Sequence, residues 1–213
     1  MQDNQELVRE VRRTTTQSAS GIARVQGELV RKSLHLLIAI VPVLAAVNLP
    51  ATLALLATGT LFYAFAESSR RLGNPILVVS DLTVIASRDK DKVGFVLGPV
   101  TLGLGAMISL LLYPEPAASI AIYALAFGDG LAALVGRAVG GPKIPFLRGK
   151  TFTGSLACFA AVFVMAYHVS RRPAESLIIA SVATVLEGIP TGNFDNIIIP
   201  FGVGMVATRL LVP

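Results

Sequence analysis

The sequence predicts an all-α fold, a polytopic transmembrane helical bundle of about seven spans with an N-terminal amphipathic interfacial helix. Three observations carry that expectation. Of 213 residues, 54% are hydrophobic and 15% charged, where soluble domains average about 25% charge. The mean hydropathy is +0.70. Residues 33–66 contain no Asp, Glu, Lys or Arg, too long a run for a single span of about 20 residues. A soluble enzyme, a disordered tail and a nucleic-acid-binding domain are disfavoured by the same composition. No nucleic-acid partner is expected.

Residues 1–32 read as a basic amphipathic segment lying on the membrane, and 33–213 as a transmembrane catalytic domain. In the first part, Leu7, Val8 and Val11 form one apolar stripe, and Ile22, Val25 and Leu29 another. A polar stretch from Thr14 to Ser20 separates them. Asn48-Leu49-Pro50 breaks the long apolar run into a hairpin of 33–48 and 51–67. A third span covers 93–114, stopped by Pro114-Glu115-Pro116. The fourth is 117–137, with Asp129 inside it, and the fifth 152–169. Arg171-Arg172-Pro173 and Pro190-Thr191-Gly192-Asn193 bound a sixth at 174–189, and a seventh runs over 195–212. Segment 74–87 is apolar but short and carries Asp81, so it reads as an interfacial helix. No apolar stretch in residues 1–30 resembles a cleavable signal. The single cysteine, Cys158, cannot form an intrachain disulfide, and no Cys/His cluster suggests zinc.

Orientation follows from Lys and Arg. Six precede residue 33, five lie in 70–92 and four in 137–150, fifteen of the eighteen. With seven spans these groups share one side, which the positive-inside rule makes cytoplasmic. The N-terminus is then inside and the C-terminus outside.

Ionisable groups at membrane depth are costly and mark sites. Glu28, Arg31, Lys32 and His35 are spaced i, i+3, i+4 and i+7, one helix face at the cytoplasmic start of span one. Asp129 lies within Gly128-Asp129-Gly130, and Arg137 follows on the same helical face. Glu67, Glu187 and Asp195 all fall at span ends on that side. Carboxylates of this kind hold Mg²⁺ together with waters and substrate phosphates. Lys and Arg neutralise phosphoryl oxygens, and glycines let backbone N–H groups approach them. Phosphoryl transfer requires mainly positioning and charge neutralisation, which these parts supply. Gly149-Lys150-Thr151 resembles the end of a Walker A loop, but Ile144 stands where that motif requires glycine.

In order along the chain, Arg31-Lys32-Ser33-Leu34-His35, the run Gly128 to Arg137, then Gly140, Lys143, Pro145, Gly149-Lys150-Thr151 and Gly154-Ser155 resemble a known family. Ala183-Thr184, Glu187, Pro190, Asp195-Asn196 and Pro200 continue the match. The family is that of the CTP-dependent lipid kinases: dolichol (polyprenol) kinase, phytol kinase and yeast-type diacylglycerol kinase. The resemblance implies transfer of the CTP γ-phosphate to the hydroxyl of a membrane lipid alcohol, with a divalent cation, Mg²⁺. It implies Asp129 in the catalytic or metal centre; His35 and Lys32 match other characteristic positions and join it as catalytic candidates, with a carboxylate or His35 to accept the hydroxyl proton. It implies a nucleotide site of Gly128, Gly130, Arg137, Lys143, Lys150, Thr151, Gly154 and Ser155, and metal ligands among Asp129, Glu187, Asp195 and Glu67. Thr153 stands where family members often carry Glu; if that Glu binds metal or nucleotide, another carboxylate, such as Glu67, must replace it. The lipid is left open among diacylglycerol, phytol and polyprenol, as is a homo-oligomeric state. Two alternatives remain: a CTP-using phospholipid cytidylyltransferase, and an anionic-solute transporter. The transporter reading predicts charges near the midplane and repeat symmetry, neither of which is evident here.

Overall fold

A computed structural model describes residues 27–86, 94–145, 147 and 149–212. Most of the predicted amphipathic head, including Leu7, Val8, Val11, Ile22 and Val25, lies outside the described residues, as do Lys92 and Arg148. Eight helices are described: α1 (Gly27–Val47), α2 (Leu49–Arg71), α3 (Leu77–Ala86), α4 (Gly98–Leu112), α5 (Ala117–Ala138), α6 (Phe152–Ser170), α7 (Pro173–Gly188) and α8 (Asp195–Leu211).

Local chemistry sets the boundaries. Pro42 has no N–H for the Ile38 carbonyl, and α1 tightens into a 3₁₀ turn at Ile38–Ile40 just before it. Asn48 ends α1 in an extended conformation and caps α2, its side chain accepting the Ala51 N–H at 3.0 Å. Thr151 caps α6 in the same way, through the Gly154 N–H at 3.2 Å.

Helices α1, α2, α5 and α6 are long and apolar enough to cross a bilayer. The other three predicted spans are shorter: α4 has 15 residues, α7 16 and α8 17. At about 1.5 Å per residue these reach roughly 23–26 Å, short of a hydrocarbon core of about 30 Å. The third span shrinks at its start, because 94–97 is not helical. Glu67 explains why. Its carboxylate accepts two hydrogen bonds from Arg70, both 2.7 Å, and one from the Val96 N–H at 2.9 Å. Tyr63 donates to the Val96 carbonyl at 3.1 Å and Arg70 to that of Gly94 at 3.2 Å. These bonds hold the chain extended as it enters α4.

Helix α5 is central. Ala117, Ile120 and Ala124 pack with Cys158, Val162 and Ala166 of α6, Ile179, Ala180 and Ala183 of α7, and Ile199, Val203 and Ala207 of α8. Alanines at these contacts let the backbones approach, the packing mode that works between membrane helices. The periphery carries bare apolar side chains, with Leu61 70% and Val47 83% exposed, a surface suited to lipid.

Helix α8 contains Pro200, which leaves the Asn196 carbonyl without its intrahelical donor. Gly105 of α4 lies against that carbonyl, where a Cβ would collide with it and would meet Pro200 Cγ at 3.3 Å. Gly105→Ala is therefore expected to lower stability by about 1–3 kcal/mol, seen as a lower Tm of the detergent-solubilised protein. An unchanged Tm would show that α4 and α8 can separate freely.

Candidate functional site

Five helices bring polar side chains to one cavity of about 400 Å³, inside the roughly 300–1,000 Å³ range of small-molecule sites. Glu28, Arg31 and Lys32 come from the start of α1, and Asp129 and Arg137 from α5. Lys150, Thr151, Gly154 and Ser155 come from the entry to α6, Glu187 from the end of α7, and Asp195 from the start of α8. Ile189, Pro190, Thr191 and Gly192 close one side. The spacing of Glu28, Arg31 and Lys32 had signalled a common face. The 189–192 loop carried turn signals and, at Pro190, one position of the family match, but none of its residues was among the expected site residues.

The centre is an ion cluster. Lys32 Nζ donates to Asp129 Oδ2, and His35 Nδ1 lies 3.1 Å from the same oxygen. All three residues are buried, at 3%, 5% and 5% exposure for Lys32, His35 and Asp129. A carboxylate at this depth persists as an ion only because a cation meets it. Asp129 closes a π-helical turn, Ala124–Asp129, inside α5. Such turns widen the helix and recur at functional sites. The adjoining glycines were the sequence signal for a weakened helix, although they did not specify its form.

Two further pairs ring the cavity. Arg137 Nη1 lies 3.0 Å from Glu28 Oε2, an oxygen that also meets Arg31. Lys150 Nζ meets Glu187 Oε1. Glu187 occupies the last turn of α7, where the helix dipole is negative and a carboxylate needs a cation. Its other oxygen, Oε2, is buried without a hydrogen-bond partner among the described residues, as is Thr191 Oγ1.

The cavity floor depends on a close crossing of α5 and α6. A Cβ on Gly136 would sit 2.9 Å from Thr151 Oγ1 and 3.3 Å from Gly154 Cα, and one on Gly154 would sit 2.8 Å from the Ala132 carbonyl. Only glycine fits at either place. Thr153 donates to the Gly140 carbonyl, so the position expected to carry Glu in the family here ties the 140–153 loop shut.

Several expected residues are placed elsewhere. Gly128 packs against Val162 and Cys158, and Gly130 against Leu36, so both serve helix contact rather than the cavity wall. Lys143 is exposed and pairs with Thr151 only through its backbone. Glu67 lines neither cavity, its carboxylate being held by Arg70 and Val96. It is not the replacement carboxylate that Thr153 had called for.

A second, mainly apolar cavity of about 220 Å³ adjoins the first. Val79, Leu82, Val96, Pro99 and Leu102 line it, with His35 and Asn196 among its polar exceptions. Arg31, Lys32, Asp129, Gly192 and Asp195 line both cavities.

This layout has known relatives in sequence. The chain is similar to phytol kinases. A probable chloroplastic phytol kinase of Triticum aestivum is 30% identical over 131 residues, covering 53% of this chain and 44% of the relative. Probable phytol kinase 1 of Glycine max is 29% identical over 158 residues, 65% of this chain and 52% of its own length. One of Zea mays is 28% identical over 166 residues, with shares of 68% and 55%. The chain spans about half the length of the curated relatives it matches. No family model matches it, and no solved structure does. The phytol kinase similarity bears out the lipid-kinase resemblance read from the residues.

Among the described residues no group of three His, Cys, Asp or Glu could hold a metal ion alone. Mg²⁺ rarely needs such a cage, since one or two carboxylates and substrate phosphates suffice. Glu187 Oε2 and the cavity carboxylates Asp129 and Asp195 fit that mode, as hard oxygen donors in a polar space.

Lys32→Met would strand the Asp129 carboxylate and is expected to cost about 3–5 kcal/mol of stability. The double variant Lys32→Met, Asp129→Asn removes both charges and should recover most of that loss. Thermal unfolding in detergent reads both. Equal destabilisation of single and double variants would contradict the buried pair.

Proposed function

We propose that this chain is a membrane lipid kinase, moving the γ-phosphate of a nucleoside triphosphate to the hydroxyl of a lipid alcohol at the junction of its two cavities. The observation that supports this reading is the shared wall: a polar cavity lined by cations and carboxylates meets an apolar one at Lys32, Asp129 and Asp195. The resemblance names CTP as donor, and the relatives' printed names suggest phytol, an isoprenoid alcohol, as acceptor.

Each group then has a task. Lys150, Arg137 and the first turn of α6 at Thr151, Gly154 and Ser155 face the phosphates, the helix N-terminus adding its positive pole. Cations and carboxylates now pair with one another, and a metal–triphosphate carries both complementary signs, so the pairs can exchange partners. Glu187, Asp195 and Asp129 would hold Mg²⁺, which when bound neutralises phosphate charge. Lys32 stands beside the transferring group. The lipid oxygen forms a bond to the γ-phosphorus as the bond to the nucleoside diphosphate oxygen breaks. His35, oriented by Asp129 at 3.1 Å, accepts the hydroxyl proton.

In the bilayer, α4, α7 and α8 complete a seven-span bundle with the four longer helices, tilted little. The Lys/Arg distribution favours a cytoplasmic side for the polar cavity, where soluble nucleotide is available.

Purified protein in mixed micelles should transfer label from γ-labelled CTP into phytol, dependent on Mg²⁺. Asp129→Asn should lower that rate by about 10²–10³ or more, measured per folded molecule because the change also strands Lys32. Phytol, a polyprenol, diacylglycerol and ATP in parallel define donor and acceptor. Pyrophosphate with a CDP-lipid product would overturn kinase in favour of cytidylyl transfer. Near-normal turnover of the Asn variant would remove Asp129 from the mechanism.

A further inference from the structure

Apart from its carboxylates, Lys and Arg, the apolar cavity has five polar side chains among its walls that could meet a hydroxyl: His35, Tyr63, Thr83, Asn193 and Asn196. Tyr63 and Thr83 are committed within the fold, His35 is the proposed base, and Asn193 is only half-buried. Tyr63 donates to the Val96 carbonyl at 3.1 Å, Thr83 to the Val79 carbonyl at 2.7 Å, and His35 Nδ1 faces Asp129. Asn196 is different. It is 3% exposed, and its Nδ2 donates to the Gly98 carbonyl at 3.2 Å and to Thr101 Oγ1 at 2.9 Å. The Gly98 carbonyl can only accept, so the atom facing it is the amide nitrogen, and the orientation of the group follows. Thr101 in turn lies within donating distance of the Leu97 and Gly98 carbonyls, at 3.2 and 3.0 Å, which leaves its lone pairs to Asn196. Both amide hydrogens are therefore used, and Oδ1 is buried with no hydrogen-bond partner among the described residues.

An acceptor fixed by two donated bonds, stripped of water and left unpartnered, on a side chain that lines an apolar cavity, is a costly arrangement. It becomes favourable when a ligand brings one O–H into otherwise apolar surroundings. We propose that Asn196 is a positioning residue for the acceptor alcohol, its Oδ1 taking a hydrogen bond from the lipid hydroxyl. This deepens the lipid-kinase reading and rests on it. The bond takes the hydroxyl hydrogen and leaves both oxygen lone pairs free, in a cavity that shares a wall with the polar one at Asp129 and Lys32. The hydroxyl has one hydrogen: Oδ1 holds it as the alcohol binds, and it passes to His35, which lines the same cavity, as the bond to phosphorus forms. The hydrogen bond to Oδ1 also supplies selection. A site built around a hydroxyl rejects a ligand that lacks it, because its polar atom is then left unpaired.

The test is equilibrium binding of radiolabelled phytol to the full chain in micelles, displaced by unlabelled phytol or by the hydrocarbon of the same skeleton without the hydroxyl. Wild type should bind the alcohol at least tenfold more tightly than the hydrocarbon. Asn196→Ala should weaken phytol about tenfold, leave hydrocarbon affinity within twofold and so abolish the preference. Thr101→Val, which removes an α4–α8 bond but leaves Oδ1 in place, should keep the preference. In turnover, Asn196→Ala should raise KM for phytol and leave KM for the nucleotide within twofold. Absence of any preference in wild type, equal weakening of both ligands in Asn196→Ala, or the same loss in Thr101→Val would overturn the proposal. A wild-type preference without any phosphate transfer would instead overturn the kinase reading and leave the alcohol site standing.

Discussion

The contact between α1 and α5 through Lys32, Asp129 and His35 is the constraint on which the rest of the site depends. In a low-dielectric interior neither ion tolerates being alone, so the two helices cannot separate without a large penalty. That contact fixes the register of α1 against the π-helical turn of α5. It thereby fixes where the polar cavity ends and the apolar one begins. A hydrophobic pair would hold the helices as firmly but would leave no charge at the boundary.

Around that centre the bundle relies on the absence of atoms. Gly136 and Gly154 let α5 and α6 cross closely beneath the cavity, and Gly105 lets α4 lie against a carbonyl that Pro200 has freed. The second of these contacts also sets Asn196 beside Thr101. Backbone economy at one helix pair thus becomes side-chain geometry at the cavity wall. The Glu67–Arg70–Tyr63 group plays a comparable part at the entrance to α4, holding an extended segment beside Val96, a wall residue of the apolar cavity.

Much of this was legible in the residues. Helix starts at Leu49, Ala117, Phe152, Pro173 and Asp195 lie within two residues of their predicted positions, because Pro, Asn and charged residues act locally on backbone and desolvation. The i, i+3, i+4, i+7 face of α1 holds, and residues from distant segments do line one cavity. Other features were not legible. A lone buried carboxylate looks the same in sequence whether it faces a ligand or an arginine, and Glu67 was misplaced for that reason. Gly128 and Gly130 flank Asp129, yet they face the packing side of a helix widened by one turn.

By itself, then, the sequence determined that the chain is helical and apolar enough for a membrane, where its helices break, and which polar residues had to be explained. Those follow from single-residue properties: hydropathy, missing N–H groups and the cost of buried charge. Only the tertiary structure decided which carboxylate meets which cation, which glycines serve packing, and that two cavities of opposite character share a wall. Pairing and enclosure depend on several helices at once, and no local interaction along the chain encodes them.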